Sequence, residues 1–197
     1  MVMRTLVVYC HPNPDSFGAA MRDRTLAGLR KAGHDVRLTD LYAEGFEPEL
    51  TADEIAHHHE PGVAAGLERY ADDLRWAEAI VFVYPTWWSG QPAMLKGWMD
   101  RVWASGVAWE LPEGSNLVKP LLRDVRRLLI VTSHGSSKWV NILEGESGKR
   151  TIIRSLRAMC SRRVRTRWVA IYGIDTCSSA KRATFLDRVE QAATRLR

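Results

Sequence analysis

Three short stretches of the chain carry residue types that do chemistry. The first is His11-Pro12-Asn13-Pro14-Asp15-Ser16-Phe17-Gly18. It follows an apolar run and leads into a helical pattern, so Ser16 reads as an N-cap. The free N–H groups of a helix start, with the helix dipole behind them, form an anion site to which His11 and Ser16 add side-chain donors. The second is Pro85-Thr86-Trp87-Trp88-Ser89-Gly90. Two adjacent tryptophans cannot both enter one core, and an aromatic wall beyond a strand end suits a flat heterocycle. The third, Thr132-Ser133-His134-Gly135, is small and polar after an apolar run. It can offer backbone amides to ring carbonyl and nitrogen atoms, with His134 as the side-chain candidate for stabilising charge there. Taken singly, each stretch also reads as something plain: a proline-rich turn with an ordinary cap, a packing corner, a strand-to-helix turn.

Other motifs fall away on spacing. No G-x-G-x-x-G follows the first apolar run, so the dinucleotide fingerprint is absent. Gly148-Lys149 suggests a phosphate loop, but Leu143 stands where its first glycine belongs and Arg150 where it needs Ser or Thr. His57-His58-His59 resembles a metal site only in one dimension. Consecutive side chains on a helix diverge by about 100°, so three in a row cannot converge on one ion. They read as a solvated segment with no metal, and His34, after Gly33 in a turn, reads as structural.

The elements that must position these loops alternate between strand and helix. Residues 4–10 (RTLVVYC) read as a buried strand, and Ser16 opens a helix that Gly33 stops. Residues 35–41 are the second strand, 44–60 an acidic stretch with a short helix capped by Thr51, and 61–76 a helix. Residues 79–84 (AIVFVY) are the clearest strand. Residues 91–105 form a helix with Pro92 in its first turn and 106–122 a long connection. Residues 125–133 are the fourth strand, 147–160 a helix and 164–172 the fifth strand, before a last helix capped by Ser178 or Ser179. Five strands separated by helices predict an α/β domain, residues 1–197, with a parallel sheet of order 2-1-3-4-5 covered on both faces. Ligands of such a sheet sit outside the C-terminal strand ends, where all three loops fall.

Composition sets outer limits. Hydrophobic residues are 46% and charged residues 26% of the 197, which is ordinary for a globular domain. No stretch approaches the roughly 20 apolar residues that span a bilayer, and no secretory signal is evident. The three cysteines, Cys10, Cys160 and Cys177, are odd in number and far apart, which fits reduced thiols in a cytoplasmic protein. Residues 35–78 hold twelve acidic and three basic side chains, and 149–167 eight basic and none acidic. No groove-reading element accompanies the basic stretch, so it reads as a solvated face and not as a nucleic-acid site.

With these motifs in view, the chain resembles the NAD(P)H:quinone oxidoreductase family of flavodoxin-like flavoproteins, which spans quinone reductases, modulators of drug activity B and ancillary reductases of potassium efflux. The resemblance covers nearly the whole chain. It rests on His11-Pro12 with Ser16-Phe17, and on Tyr84-Pro85 through Trp88, Pro92-Ala93, Leu95-Lys96-Gly97-Trp98 and Asp100-Arg101-Val102. It implies a flavodoxin-like fold and one flavin per chain, with FMN preferred and FAD second because no long C-terminal extension follows the last helix. His11, Ser16, Phe17 and Gly18 match the flavin phosphate and ribityl site, Gly18 standing where the family often has Asn. Pro85, Thr86, Trp87 and Trp88 match the loop around the isoalloxazine ring. Thr132, Ser133, His134 and Gly135 match the Thr-Thr-Gly-Gly loop at its pyrimidine edge, with His134 replacing a glycine. Val140 falls where animal members place a tyrosine, and no following histidine helper is evident.

The activity implied is hydride transfer from NAD(P)H through flavin N5 to a small quinone-like acceptor, in two ping-pong half-reactions. Two other readings stay open: an electron carrier of the flavodoxin type and a flavin-binding regulatory subunit of a membrane transporter. Such carriers are strongly acidic, and the net charge of +5 argues against that one. The resemblance also implies a homodimer. The apolar stripe Met94, Leu95, Trp98, Met99, Val102 and Trp103 is wide for a helix covering one sheet face, and predicts that the 91–105 helix lies at the twofold axis.

Overall fold

The computed structural model describes residues 2–197. Its elements are β1 (Arg4–Tyr9), α1 (Phe17–Lys31), β2 (Asp35–Asp40), α2 (Ala52–Ala56), α3 (Glu68–Trp76), β3 (Ala79–Thr86), α4 (Ala93–Val102), β4 (Trp109–Glu110), β5 (Lys119–Pro120), β6 (Arg127–His134), α5 (Lys138–Leu143), α6 (Ser147–Arg150), β7 (Arg165–Tyr172) and α7 (Ser179–Thr194). The main sheet runs β2-β1-β3-β6-β7 with every pair parallel. That is the 2-1-3-4-5 order expected, and the short β4–β5 ribbon lies apart from it.

Alternation along the central strands builds two cores. Leu6, Val8, Ile80, Phe82, Leu128 and Ile130 face the layer of α3, α4 and the segment after α6. Val7, Tyr9, Val81, Val83, Leu129 and Val131 face α1 and α7. Because β1, β3 and β6 are covered on both sides, they read as continuous apolar runs. Gly28 lets α1 and α7 cross closely: a Cβ there would lie 2.4 Å from the Glu190 carbonyl oxygen.

Several boundaries differ from those expected. The helix read over 61–76 begins only at Glu68, because Gly62 (φ 133°) and Gly66 (φ 86°) hold left-handed backbone. The helix read over 147–160 continues past α6 as a π-helical turn, Thr151–Leu156. α5 was not expected at all; Ser137 caps it by accepting from the Val140 N–H at 3.3 Å.

The wide stripe on α4 is not a free surface. Leu95, Trp98, Met99, Val102 and Trp103 are buried inside the chain with Phe46, Tyr70, Val107 and Ala108, and only Met94 is partly open. The segment before α2 crosses the helix so closely that a Cβ on Gly97 would lie 2.2 Å from the Pro48 carbonyl oxygen. The stripe is wide because it meets two intrachain layers, and it gives no reason to place a second subunit on α4.

Candidate functional site

The loops after β1, β3 and β6 meet at the C-terminal edge of the sheet. They border a cleft of about 980 Å³ lined by Pro85, Thr86, Trp87, Trp88, Ser89, Ser133, His134, Gly135, Ser136, Asn141, Glu144, Ser147, Ile174 and Asp175. A second groove, of about 650 Å³, lies between β7 and α7 away from these loops.

The first loop adjoins the cleft without lining it. His11 Nδ1 lies 3.0 Å from the Asn13 nitrogen and 3.1 Å from the Asn13 carbonyl oxygen, which ties the ring to its own loop in either tautomer. Burial holds His11 below the usual histidine pKa, which keeps it neutral. Ser16 Oγ accepts from the Ala19 N–H at 3.1 Å and caps α1, whose first turn holds no acidic side chain. The first turn of α1 therefore sets no acid of its own against its remaining free N–H groups and positive dipole, and the exposed Asp15 stands just ahead of the cap. Gly18 closes the geometry: a Cβ there would lie 3.1 Å from the His11 ring and 3.2 Å from Ser16 Oγ. The Phe17 ring turns away to meet Phe185 of α7 at 6.1 Å, so Phe17 offers the site its backbone only.

The second loop is a tight turn. Trp87 N–H donates to the Gly90 carbonyl and Gly90 N–H to the Trp87 carbonyl, at 3.2 and 3.0 Å. Trp88 (φ 48°) and Ser89 (φ 58°) are both left-handed, the arrangement of a two-residue hairpin turn. Non-glycine residues there cost about 1–2 kcal/mol each. Contacts from the segment after α5 offset that cost: the Ser89 carbonyl accepts from Gly148 N–H and Ser147 Oγ, both at 2.8 Å, and Ser89 Oγ donates to Glu144. The turn throws Trp88 fully into solvent, at 103% exposure. Trp87 leans back toward the first loop, its ring 6.2 Å from that of His11.

The third loop is the most enclosed. Thr132 and His134 point to the α4 side of the sheet, and His134 is only 6% exposed. Thr86 Oγ1 and Thr132 Oγ1 share a 2.9 Å hydrogen bond, with His134 Nε2 3.5 Å from the same Thr86 oxygen. Tyr172 stacks on the imidazole at 4.5 Å and 17°. Burial lowers the His134 pKa against the opposing influence of the Asn141 side chain, so the ring is neutral at pH 7, and its Nδ1 makes no hydrogen bond of good geometry. A buried polar atom without a partner beside a cleft is a place for a ligand atom. Cys10, at the end of β1, is pushed up to about 12 by burial and stays a thiol, which removes it as a nucleophile.

Of the residues singled out in the sequence, Pro85, Thr86, Trp87, Trp88, Ser133, His134 and Gly135 line the cleft. Thr132 lies beneath it, and His11, Ser16, Phe17 and Gly18 stand beside it. Sequence reasoning missed Asn141, Glu144, Ser147 and Asp175. The Ser136-Ser137 pair ahead of Trp139-Val140 was the available sign of the α5 cap that brings in the first two.

A profile of the flavodoxin-like fold matches residues 3–196. An uncharacterized NAD(P)H oxidoreductase of Haemophilus influenzae is 34% identical over 116 residues, 58% of this chain and 57% of that protein. A ribosyldihydronicotinamide dehydrogenase (quinone) of Rattus norvegicus is 32% identical over 152 residues, 68% of this chain and 65% of that protein. The chain thus spans only about three-fifths of the length of the curated relatives it matches. The solved structure of a Streptococcus mutans protein superposes with a TM-score of 0.85 at 29% identity, over 98% of this chain and 100% of that one.

Proposed function

The chain belongs to the flavodoxin-like fold family, and on that premise we propose that it is an NAD(P)H-dependent flavoenzyme that binds FMN and reduces a quinone-like acceptor by two electrons. What carries the reading is an aromatic turn and a polar strand end that line one cleft, with the start of α1 beside it. Relatives named as NAD(P)H and quinone oxidoreductases support it. The residues fit the cofactor: the α1 amides with His11 and Ser16 suit a phosphate, and Gly18 keeps that approach narrow. His134 Nδ1 and the amides of Ser133 and Gly135 suit the polar edge of the ring.

When bound, the flavin supplies hydride acceptance from NAD(P)H at N5 and two-electron delivery to the acceptor. The chain's part is to hold and tune it. Trp87 and the clamped turn form one wall, and Thr86, Thr132 and His134 form a fixed polar floor. One cleft serving donor and acceptor in turn gives ping-pong kinetics. The three cysteines are free, in keeping with the cytoplasm, and among the described residues no helix is long and apolar enough to cross a membrane. Titration with FMN is expected to give one flavin per chain, and NADPH with a benzoquinone to give parallel initial-rate lines. A protein that binds neither FMN nor FAD would overturn the reading, and flavin binding with negligible turnover would favour the carrier or regulatory role.

We also infer a homodimer, through a different surface from α4. Trp139 and Leu143 of α5 are 66% and 71% exposed, beside the open Trp88 turn. Apolar groups grouped at the rim of a cleft suit a partner that completes its wall. Sedimentation at low micromolar concentration is expected to show twice the 22.3 kDa chain mass; a monomer with full activity would remove the partner from the site.

A further inference from the structure

Sheet order separates the charges of this chain. The acidic stretch 35–78 includes β2 at one edge, and the basic stretch 149–167 runs into β7 at the other. The basic groups gather at the N-terminal ends of β6 and β7, the end opposite the cleft. Arg127 stands in register with Arg165, and Arg165 N–H donates to the Arg126 carbonyl at 3.0 Å. Ser161 N–H donates to Val125 and Leu122 N–H to Met159, both at 3.1 Å. Residues 122–127 therefore run alongside 159–165, which brings Arg123, Arg126, Arg162, Arg163 and Arg165 to one end of the molecule. All five are exposed, and among the described residues none has an acidic side chain as an ion-pair partner. Burial first, then the charges of Arg165 and Arg126, lower the pKa of Arg127. Self-repulsion of this kind does not stabilise the fold.

The β4–β5 ribbon rises from the same end. Arg123 Nε donates to the Pro120 carbonyl at its base, 2.9 Å away. Its connecting loop holds Leu111, Leu117 and Val118 out in water, at 39%, 79% and 43% exposure. Lys119 follows directly and pairs with Glu110; Glu113 and Asp124 lie on the same segment, and Glu78, whose carbonyl accepts from the Arg126 N–H, turns its carboxylate to Arg4. Exposed aliphatic side chains beside unpaired arginines have the composition of a surface that lies on an anionic bilayer. The apolar groups enter the acyl boundary while the guanidinium groups meet lipid phosphates. A nucleic acid would engage the arginines and leave Leu117 in water.

We propose that this end of the molecule, the ribbon tip with the arginines of the β6 and β7 starts, docks on anionic lipid bilayers. Whatever the cleft binds, docking at this end leaves the cleft open, on the side of the molecule that faces away from the bilayer. The test is co-sedimentation of the full chain with vesicles of phosphatidylcholine alone or doped with phosphatidylglycerol. Binding is expected only to the doped vesicles and is expected to fall with added salt. Arg162→Glu with Arg163→Glu should weaken it by at least about twentyfold, and Leu117→Ser by about tenfold, both with an unchanged melting temperature, since these side chains are exposed. No binding to doped vesicles by the unaltered chain would overturn the proposal, and that arm needs no variant to fold. So would a Leu117→Ser protein that binds as well as the parent, or tighter binding to duplex DNA than to vesicles that Leu117→Ser leaves unchanged; the arginines would then form a general polyanion surface.

Discussion

Exchanging Ser16 for aspartate is expected to leave the fold intact and to weaken FMN binding by about a hundredfold or more. Ser16 does two jobs in the proposed site, and aspartate separates them. As a cap, its oxygen accepts from Ala19 N–H, and aspartate caps a helix as well as serine does. An acid at this position also suits the helix dipole, so the melting temperature should hold or rise. As a phosphate neighbour, aspartate brings a negative charge within a few ångströms of the ligand's own. Like charges about 4 Å apart repel by about 4 kcal/mol at the effective dielectric of a protein surface, and each 1.4 kcal/mol is tenfold in affinity. The loss should shrink in high salt, whereas a steric loss would not. Fluorescence titration of the deflavinated protein measures it. A Ser16→Asp protein that binds FMN like the parent would place the phosphate away from α1, and the reading of the first loop would be wrong.

The fold was legible because the strands that matter are buried on both faces. Residues 79–84 and 125–133 could only be interior strands of a covered parallel sheet, and the strand order followed from connection rules. The three loops were legible as a group for the same reason: strand order decides which loops meet. Three features were hidden. α5 carries its large apolar residues outward, so Trp139, Ile142 and Leu143 give no inward-facing period to read. The Trp88-Ser89 turn uses left-handed backbone at residues that seldom adopt it. The distant clamp from Glu144, Ser147 and Gly148 holds that conformation, so a local reading could not tell that Trp87 leans toward the first loop while Trp88 stands in solvent. The stripe on α4 misled because its cover, the chain around Phe46 and Pro48, has no regular structure and no periodic signal.

The clamp also ties the parts of the site together mechanically. Glu144 and Ser147 flank the short α5–α6 connection, and both hold the turn that carries the tryptophans. Asn141 of α5 donates to Ser136 Oγ at 2.8 Å, just beyond the His134 loop. A shift of α5 would therefore move the aromatic wall and the polar floor at once. The same helix is the exposed apolar surface proposed above for the subunit contact, so assembly there would be coupled to cleft geometry.

His134 decides whether the polar floor acts in the reaction or only packs. Replacing it with phenylalanine keeps a flat ring against Tyr172 and roughly the same volume, but removes Nδ1 and Nε2. If the imidazole donates a hydrogen bond to the ring edge that gains negative charge on reduction, turnover should fall by about a hundredfold to a thousandfold, the range for losing one well-placed donor. The flavin midpoint potential should fall with it, while the KM for NAD(P)H stays near its parent value. Stability supplies a second readout. Burial holds the folded-state pKa of His134 below that of the unfolded chain, so between those two values the unfolded chain binds the extra proton. Its contribution is fully present above about pH 6.5 and is lost as pH falls toward the folded-state value. His11 and His34, both shifted the same way by burial, keep their share in the variant. The His134→Phe protein should therefore lose less stability than the parent between pH 7 and pH 5 in urea unfolding. A variant with that flatter acid profile but unchanged turnover and potential would make His134 a packing residue, and backbone amides of Ser133 and Gly135 would carry the charge alone.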